Sequence, residues 1–220
     1  MRPSWPRVLL LACALGFLIT LVQLNILTVA FEKLGLSHRA AYLLLVSTLA
    51  GSLINLPLFR MTTLHVERNP LLEELRTPFG IPRAPFTGKT LVAVNAGGCL
   101  VPVCFSIYLL MHFSLNPVQT LIAVATVAWI AYASSRPIAG VGVAMPIFFA
   151  PAAAALIATA LDYEQRAPLA YVSGTLGVLL GADIFRLRDI RALRAPMASI
   201  GGAGTFDGIF IAGLFAVLLT

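Results

Sequence analysis

The chain has 220 residues, of which 59% are hydrophobic and only 11% charged, with a formal net charge of +6. A soluble domain carries about 25% charged residues, so this composition points to an all-α, polytopic membrane helix bundle and leaves no room for a sizeable soluble domain. The basic residues sit in short loops between apolar runs, where they read as topology signals and not as a nucleic-acid surface.

The start, MRPSWPR, is short and basic. The apolar run from about residue 8 to 30 is long enough to cross a hydrocarbon core of about 30 Å, and it reads as a retained first helix and not a cleaved signal peptide. A second span is expected over residues 40–59, containing Gly51, Ser52, Asn55 and Pro57. Residues 60–89 form the one long loop. Its prolines at 70, 78, 82 and 85 forbid a continuous helix, and its mixed charges fit a solvated connector. The third span covers residues 90–113 and carries Asn95, Gly97 and Gly98. Asn116-Pro117 makes the next turn, and the fourth span covers 118–135. The fifth, 138–161, contains Pro146 and Pro151 and is expected to bend. After the polar loop DYEQRAP come the sixth span, 169–185, and the seventh, 202–219. The whole chain, 1–220, reads as a single membrane domain of about seven transmembrane helices.

Loop charge orients this set. With the N-terminus in the cytoplasm, that side holds Arg2, Arg7, Arg60, Arg68, Arg76, Arg83, Lys89, Arg136, Arg186, Arg188, Arg191 and Arg194, whereas the outer side holds Lys33, Arg39 and Arg166. Such a bias is the positive-inside pattern. With the retained first helix it places the protein in a prokaryotic plasma (inner) membrane, multi-pass. The expected contacts are the lipid bilayer and a membrane-embedded peptide, with no nucleic acid; the oligomeric state is left open.

Two aspartates, Asp183 and Asp207, interrupt the last two spans on either side of the basic loop. A carboxylate at membrane depth is costly and marks a functional site by default. Asp183 lies three residues before Arg186, roughly 5 Å along a helix from the loop, so both aspartates are expected near the cytoplasmic face. Ser173, Gly177 and Gly181 recur every fourth residue, and Gly204 and Gly208 bracket Asp207. If these small faces met, the two helices would approach closely and bring the carboxylates together. Such a pair shares a proton and serves as general base and general acid. The backbone of Gly201, Gly202, Gly204 and Thr205 is the expected cradle for an extended substrate, with Asn55 or Asn95 orienting it. Each element also has a structural interpretation: helix packing for the glycines, interhelical hydrogen bonds for Asn55 and Asn95, and an ion pair with Arg186 or Arg136 for Asp183. Cys13, Cys99 and Cys104 show no paired spacing, and His38, His65 and His112 are scattered, so neither a metal nor a cofactor is expected.

The phrases PLAYVSGTLGVLLGADIFRL and SIGGAGTFDGIFIAGLFAVLL, with SSRPIAGVGVAMP and the NAGG of the third span, resemble a prokaryotic membrane-protein family catalogued as domain of unknown function 1614. That resemblance implies no activity. The topology also resembles the presenilin, signal-peptide-peptidase and prepilin-peptidase group of intramembrane aspartyl proteases, whose presenilin-like members carry catalytic aspartates on helices six and seven near the cytoplasm. Their GxGD pattern is approached by Gly202, Gly204 and Asp207, with two extra residues before the aspartate, and Ala182 stands before Asp183 where that group often has Tyr. This resemblance implies hydrolysis of a membrane-embedded peptide by an Asp183/Asp207 dyad. A small cation- or proton-coupled transporter using the same aspartates is the alternative, and a non-enzymatic membrane scaffold is the third.

Overall fold

A computed structural model describes residues 12–17, 20, 26–62, 88–138, 142–146, 148–192, 197–202 and 208–220. Its helices are α1 (Ile26–Lys33), α2 (His38–Ser52), α3 (Val101–His112), α4 (Pro117–Ser134), α5 (Phe149–Leu161), α6 (Arg166–Val178) and α7 (Gly208–Leu218). Two π-helical turns, Ala96–Leu100 and Leu179–Ile184, lead into α3 and extend α6. Strands β1 (Asn55–Thr62), β2 (Lys89–Asn95) and β5 (Met197–Ile200) form one small sheet, and β3 (Arg136–Ile138) pairs with β4 (Gly142–Ala144) in a hairpin. The protein is therefore mostly helical, as expected, but it is not all-α.

Helix α6 is the axis of the bundle. It packs against α3, α4, α5 and α7, and every residue from Ala167 to Val178 except Leu176 is buried. The continuous segment Arg166–Asp189 and helix α4 are long and apolar enough to cross a membrane. Hydroxyls within the helices mostly bond back to their own turn. Thr48, Ser106, Thr120, Thr126, Ser134 and Thr159 each donate to the carbonyl four residues earlier, which leaves little polar demand on the surroundings.

The small-residue stripe of α6 does not face α7. A Cβ on Gly177 would lie 2.7 Å from the Val127 side chain, and one on Gly181 would collide with the carbonyl of Ala128 and lie 2.9 Å from the Ala131 Cβ. The stripe therefore seats α4. The α6–α7 contact uses other positions, with Gly174 facing Ala212 and Ala216 and Gly213 facing Thr175 and Tyr171.

The expected second, third and fifth spans are each part strand. Helix α2 stops at Ser52 because Pro57 has no N–H to donate and forces the residue before it to extend. Pro57 also confines β1 to a sheet edge, where a register shift between Pro57 and Phe59 marks a bulge. In β2, Thr90, Val92 and Val94 supply a β-branched alternation; this central strand pairs antiparallel with β1 and parallel with β5. Of the fifth span Phe149–Leu161 is helix, and of the seventh Gly208–Leu218. The first span lies partly, and residues 63–87 of the long loop wholly, outside the described residues.

Charges mark the two ends of the bundle. At one end, Lys33 and Arg166 donate to the carbonyls of Val217 and Thr220 at the end of α7, favourable positions for cations. Since α7 returns alongside α6, the sheet and Asp183 lie at the other.

Replacing Gly181 by Leu must part α4 from α6 or distort one of them, and overpacking of this kind costs about 1–3 kcal/mol. Gly181→Leu is expected to lower the thermal midpoint in detergent by several degrees, whereas Leu121→Ala, on the exposed face of α4, leaves it within about a degree or two. Equal midpoints for the two variants would contradict this packing.

Candidate functional site

The sheet end is built from Asn95 outward. This side chain is 1% exposed and makes three hydrogen bonds. Its amide donates to the Ser52 carbonyl at 2.8 Å and to Asn55 Oδ1 at 3.2 Å, and its Oδ1 accepts the Gly98 N–H at 2.7 Å. It thus closes the last turn of α2 and caps the π-turn that follows β2, two places where backbone groups would otherwise be orphaned. The NAGG phrase allows this because backbone meets backbone: a Cβ on Gly51 would lie 2.7 Å from the Gly97 nitrogen.

Asn55 Oδ1 also accepts from Ser199 Oγ at 2.6 Å, which fastens β5 to β1 across β2. Beyond Ile200 the chain turns at Gly201 (φ +84°) and Gly202 (φ +123°), in the left-handed region where side chains are strained. A Cβ on Gly201 would also sit 2.6 Å from the Gly98 carbonyl carbon and 2.7 Å from the Cys99 Cβ. Glycine is therefore required there by conformation and by space.

This turn presents its N–H to the carboxylate of Asp183. Gly201 N donates to Asp183 Oδ2 at 2.7 Å across 18 positions of sequence. Asp183 lies in the π-helical extension of α6 and is half-buried. The ion pair with Arg186 does not form. The Arg186 guanidinium donates instead to Asp189 at 2.9 Å, to Ser135 Oγ and to the carbonyls of Tyr132 and Ser135, and it covers the Tyr132 ring at 4.1 Å. Arg186 is thus a clamp between α4 and α6, and Asp183 is held by backbone.

Of the residues expected at the site, Asn55, Asn95, Gly201, Gly202 and Asp183 meet at this end of the bundle. Asp207, Gly204 and Thr205 lie outside the described residues. Ser199, which the sequence reading passed over, joins the network; its signal was its place two residues before Gly201 in the Ser-Ile-Gly-Gly phrase. On the far side of residues 203–207, Ile209 packs in one apolar cluster with Leu179, Ala182 and Ile200. Among the described residues no group of three or more His, Cys, Asp or Glu side chains could hold a metal ion.

Fold and site define a helical protein with membrane-length core helices, capped at one end by a small sheet that holds an aspartate against a Gly-Gly turn. The chain belongs to the family described as "Protein of unknown function (DUF1614)", whose model matches residues 49–219. No curated protein and no solved structure matches it.

Asn95→Ala would strand the Gly98 N–H and the Ser52 carbonyl, at about 1–3 kcal/mol for each buried group left unpaired. It is expected to be more destabilising than Ser199→Ala, which removes one hydroxyl at a half-buried position. Thermal unfolding of the two variants in the same detergent checks the order, and a larger loss for Ser199→Ala would contradict it.

Proposed function

We propose that this protein is a multi-pass membrane protein of the prokaryotic plasma membrane, with its N-terminus and sheet end at the cytoplasmic face. In this reading Asp183 and Asp207 form an aspartyl dyad that hydrolyses a membrane-embedded peptide. The observation that carries the reading is the bond from Gly201 N–H to Asp183. A carboxylate placed at the end of a core helix is held by a glycine turn, not by the arginine three residues away, and that turn leads along the chain to the second aspartate. Ile209 shares one apolar cluster with Leu179 and Ala182, and α7 packs along α6. Both described flanks of residues 203–207 therefore lie beside the end of α6.

The chemistry follows from a shared proton. The ionised carboxylate takes a proton from water as its oxygen adds to the peptide carbonyl carbon, while the protonated partner hydrogen-bonds the carbonyl oxygen. The tetrahedral adduct then collapses, the C–N bond breaks, and the nitrogen leaves as amine after receiving a proton from the dyad. The Gly201–Gly202 backbone, with Gly204 and Thr205, would align an extended substrate. Asn55 and Asn95 act through the scaffold, since their hydrogen bonds hold β1, β2 and β5 in register. The sheet supports placing this end outside the lipid tails, because open strand edges are not tolerated there, and the positive-inside loops support the cytoplasmic side.

The π-helical turn around Asp183 favours a second reading, a cation- or proton-coupled carrier. Breaks in regular helix often mark function, and irregular backbone beside a carboxylate is how carriers bind ions.

Purified protein in liposomes, given a panel of single-span peptides, is expected to cleave near the cytoplasmic boundary. Asp183→Asn and Asp207→Asn should each reduce cleavage at least 100-fold, and Asp189→Asn should leave it within about twofold. Cleavage that survives both substitutions would sink the dyad. Absence of cleavage together with an ion flux lost in the same variants would establish the carrier instead.

A further inference from the structure

The junction of α4 and α6 at the sheet end carries cations the scaffold does not use. Arg186 is fully committed there, bonded to Asp189, Tyr132 and Ser135. Arg136, one residue beyond Ser135, and Arg188, two beyond Arg186, are both exposed. They stand on elements that touch, since β3 packs against the 3-10 turn Leu187–Ala192. Asp189 is already paired with Arg186, so among the described residues of these two elements the arginines outnumber the acid. Exposed aromatics stand on the same two helices, a turn or two back toward the bundle in sequence. Trp129 is 68% exposed and Phe185 58%, and the Phe185 ring meets the edge of the Tyr132 ring at 6.5 Å.

We infer that Arg136 and Arg188 bind the headgroup phosphate of an anionic phospholipid whose acyl chains lie along Trp129 and Phe185. Charge complementarity selects the occupant. The headgroup of an anionic lipid carries the net negative charge that two unspent guanidinium groups require, and arginine matches phosphate oxygens in a bidentate fork. Exposed Trp and Tyr beneath the cations are what the boundary between headgroups and acyl chains favours. A bound lipid would bridge β3 and the turn after α6, bracing the helix end that carries Asp183. The inference rests on the membrane placement proposed above and is independent of the dyad.

The test uses the full chain in detergent, with thermal unfolding followed after addition of dioleoyl phosphatidylglycerol, dioleoyl phosphatidylcholine or sodium phosphate. Wild type is expected to gain several degrees with phosphatidylglycerol and little with the other two. Arg136→Gln/Arg188→Gln should lose most of that gain, whereas Arg39→Gln, exposed in the first turn of α2, should keep it. Equal gains with both lipids, or an undiminished gain in the double variant, would overturn the site. The full gain from phosphate alone would show an anion site that takes no lipid. If the double variant unfolds early without lipid, native mass spectrometry decides by counting phosphatidylglycerol molecules retained, which should fall relative to Arg39→Gln. Alkaline washing of membranes tests the placement separately: a chain released by the wash would defeat the membrane reading, and a chain retained with no lipid preference would defeat only the site.

Discussion

The hydrogen bond from Gly201 to Asp183 is where the helical and sheet parts of this protein meet. Asp183 ends the axial helix, against which α3, α4, α5 and α7 pack. Gly201 ends β5, which is fixed by β2 and by the Ser199–Asn55 bond. A bond to a carboxylate is among the stronger hydrogen bonds a backbone N–H makes. It forms here only because residue 201 has no side chain and adopts a left-handed conformation. The position of the carboxylate is thus set from two directions, by the packing of α6 against α4 and by the register of the sheet.

That dual support separates two roles that the polar residues of this end might otherwise share. Asn95 and Asn55 have their hydrogen bonds within the scaffold and hold strands and turns together. Arg186 clamps α4 to α6, and among the described residues no arginine pairs with Asp183. The carboxylate and the glycine turn are the parts of this end to which the proposal assigns chemistry. Arg136 and Arg188, on the elements that meet beside this clamp, are exposed.

Membership in the DUF1614 family, the helical character, and the convergence of Asp183, Gly201, Gly202, Asn55 and Asn95 were all legible in the residues. Carboxylates, glycine pairs and asparagines inside apolar runs are rare enough to stand out against their background. The strands were not legible by the same route. Hydropathy alone does not distinguish a buried strand from half a membrane helix, and β2, Lys-Thr-Leu-Val-Ala-Val-Asn, sits inside a run long enough to read as a span. Its β-branched alternation and the Asn-Leu-Pro-Leu of β1 were the available signals. The four-residue stripe on α6 is a close-packing face, but α4 and not α7 fills it, because spacing identifies a face and not the helix that meets it. Asp183 and Arg186 show the same limit: three residues apart on paper, their side chains are drawn to different neighbours.

The central claim is that the turn holding Asp183 also delivers Asp207 to it. The most direct measurement is the distance between the two carboxylates in an experimental structure of the wild-type protein in a lipid bilayer. The account predicts that their nearest oxygens come within reach of a single bridging water, about 6 Å or less, with Asp183 still bonded to Gly201. A separation well beyond about 10 Å, outside the range at which two groups can act on one water, with Asp207 paired to an arginine, would contradict it.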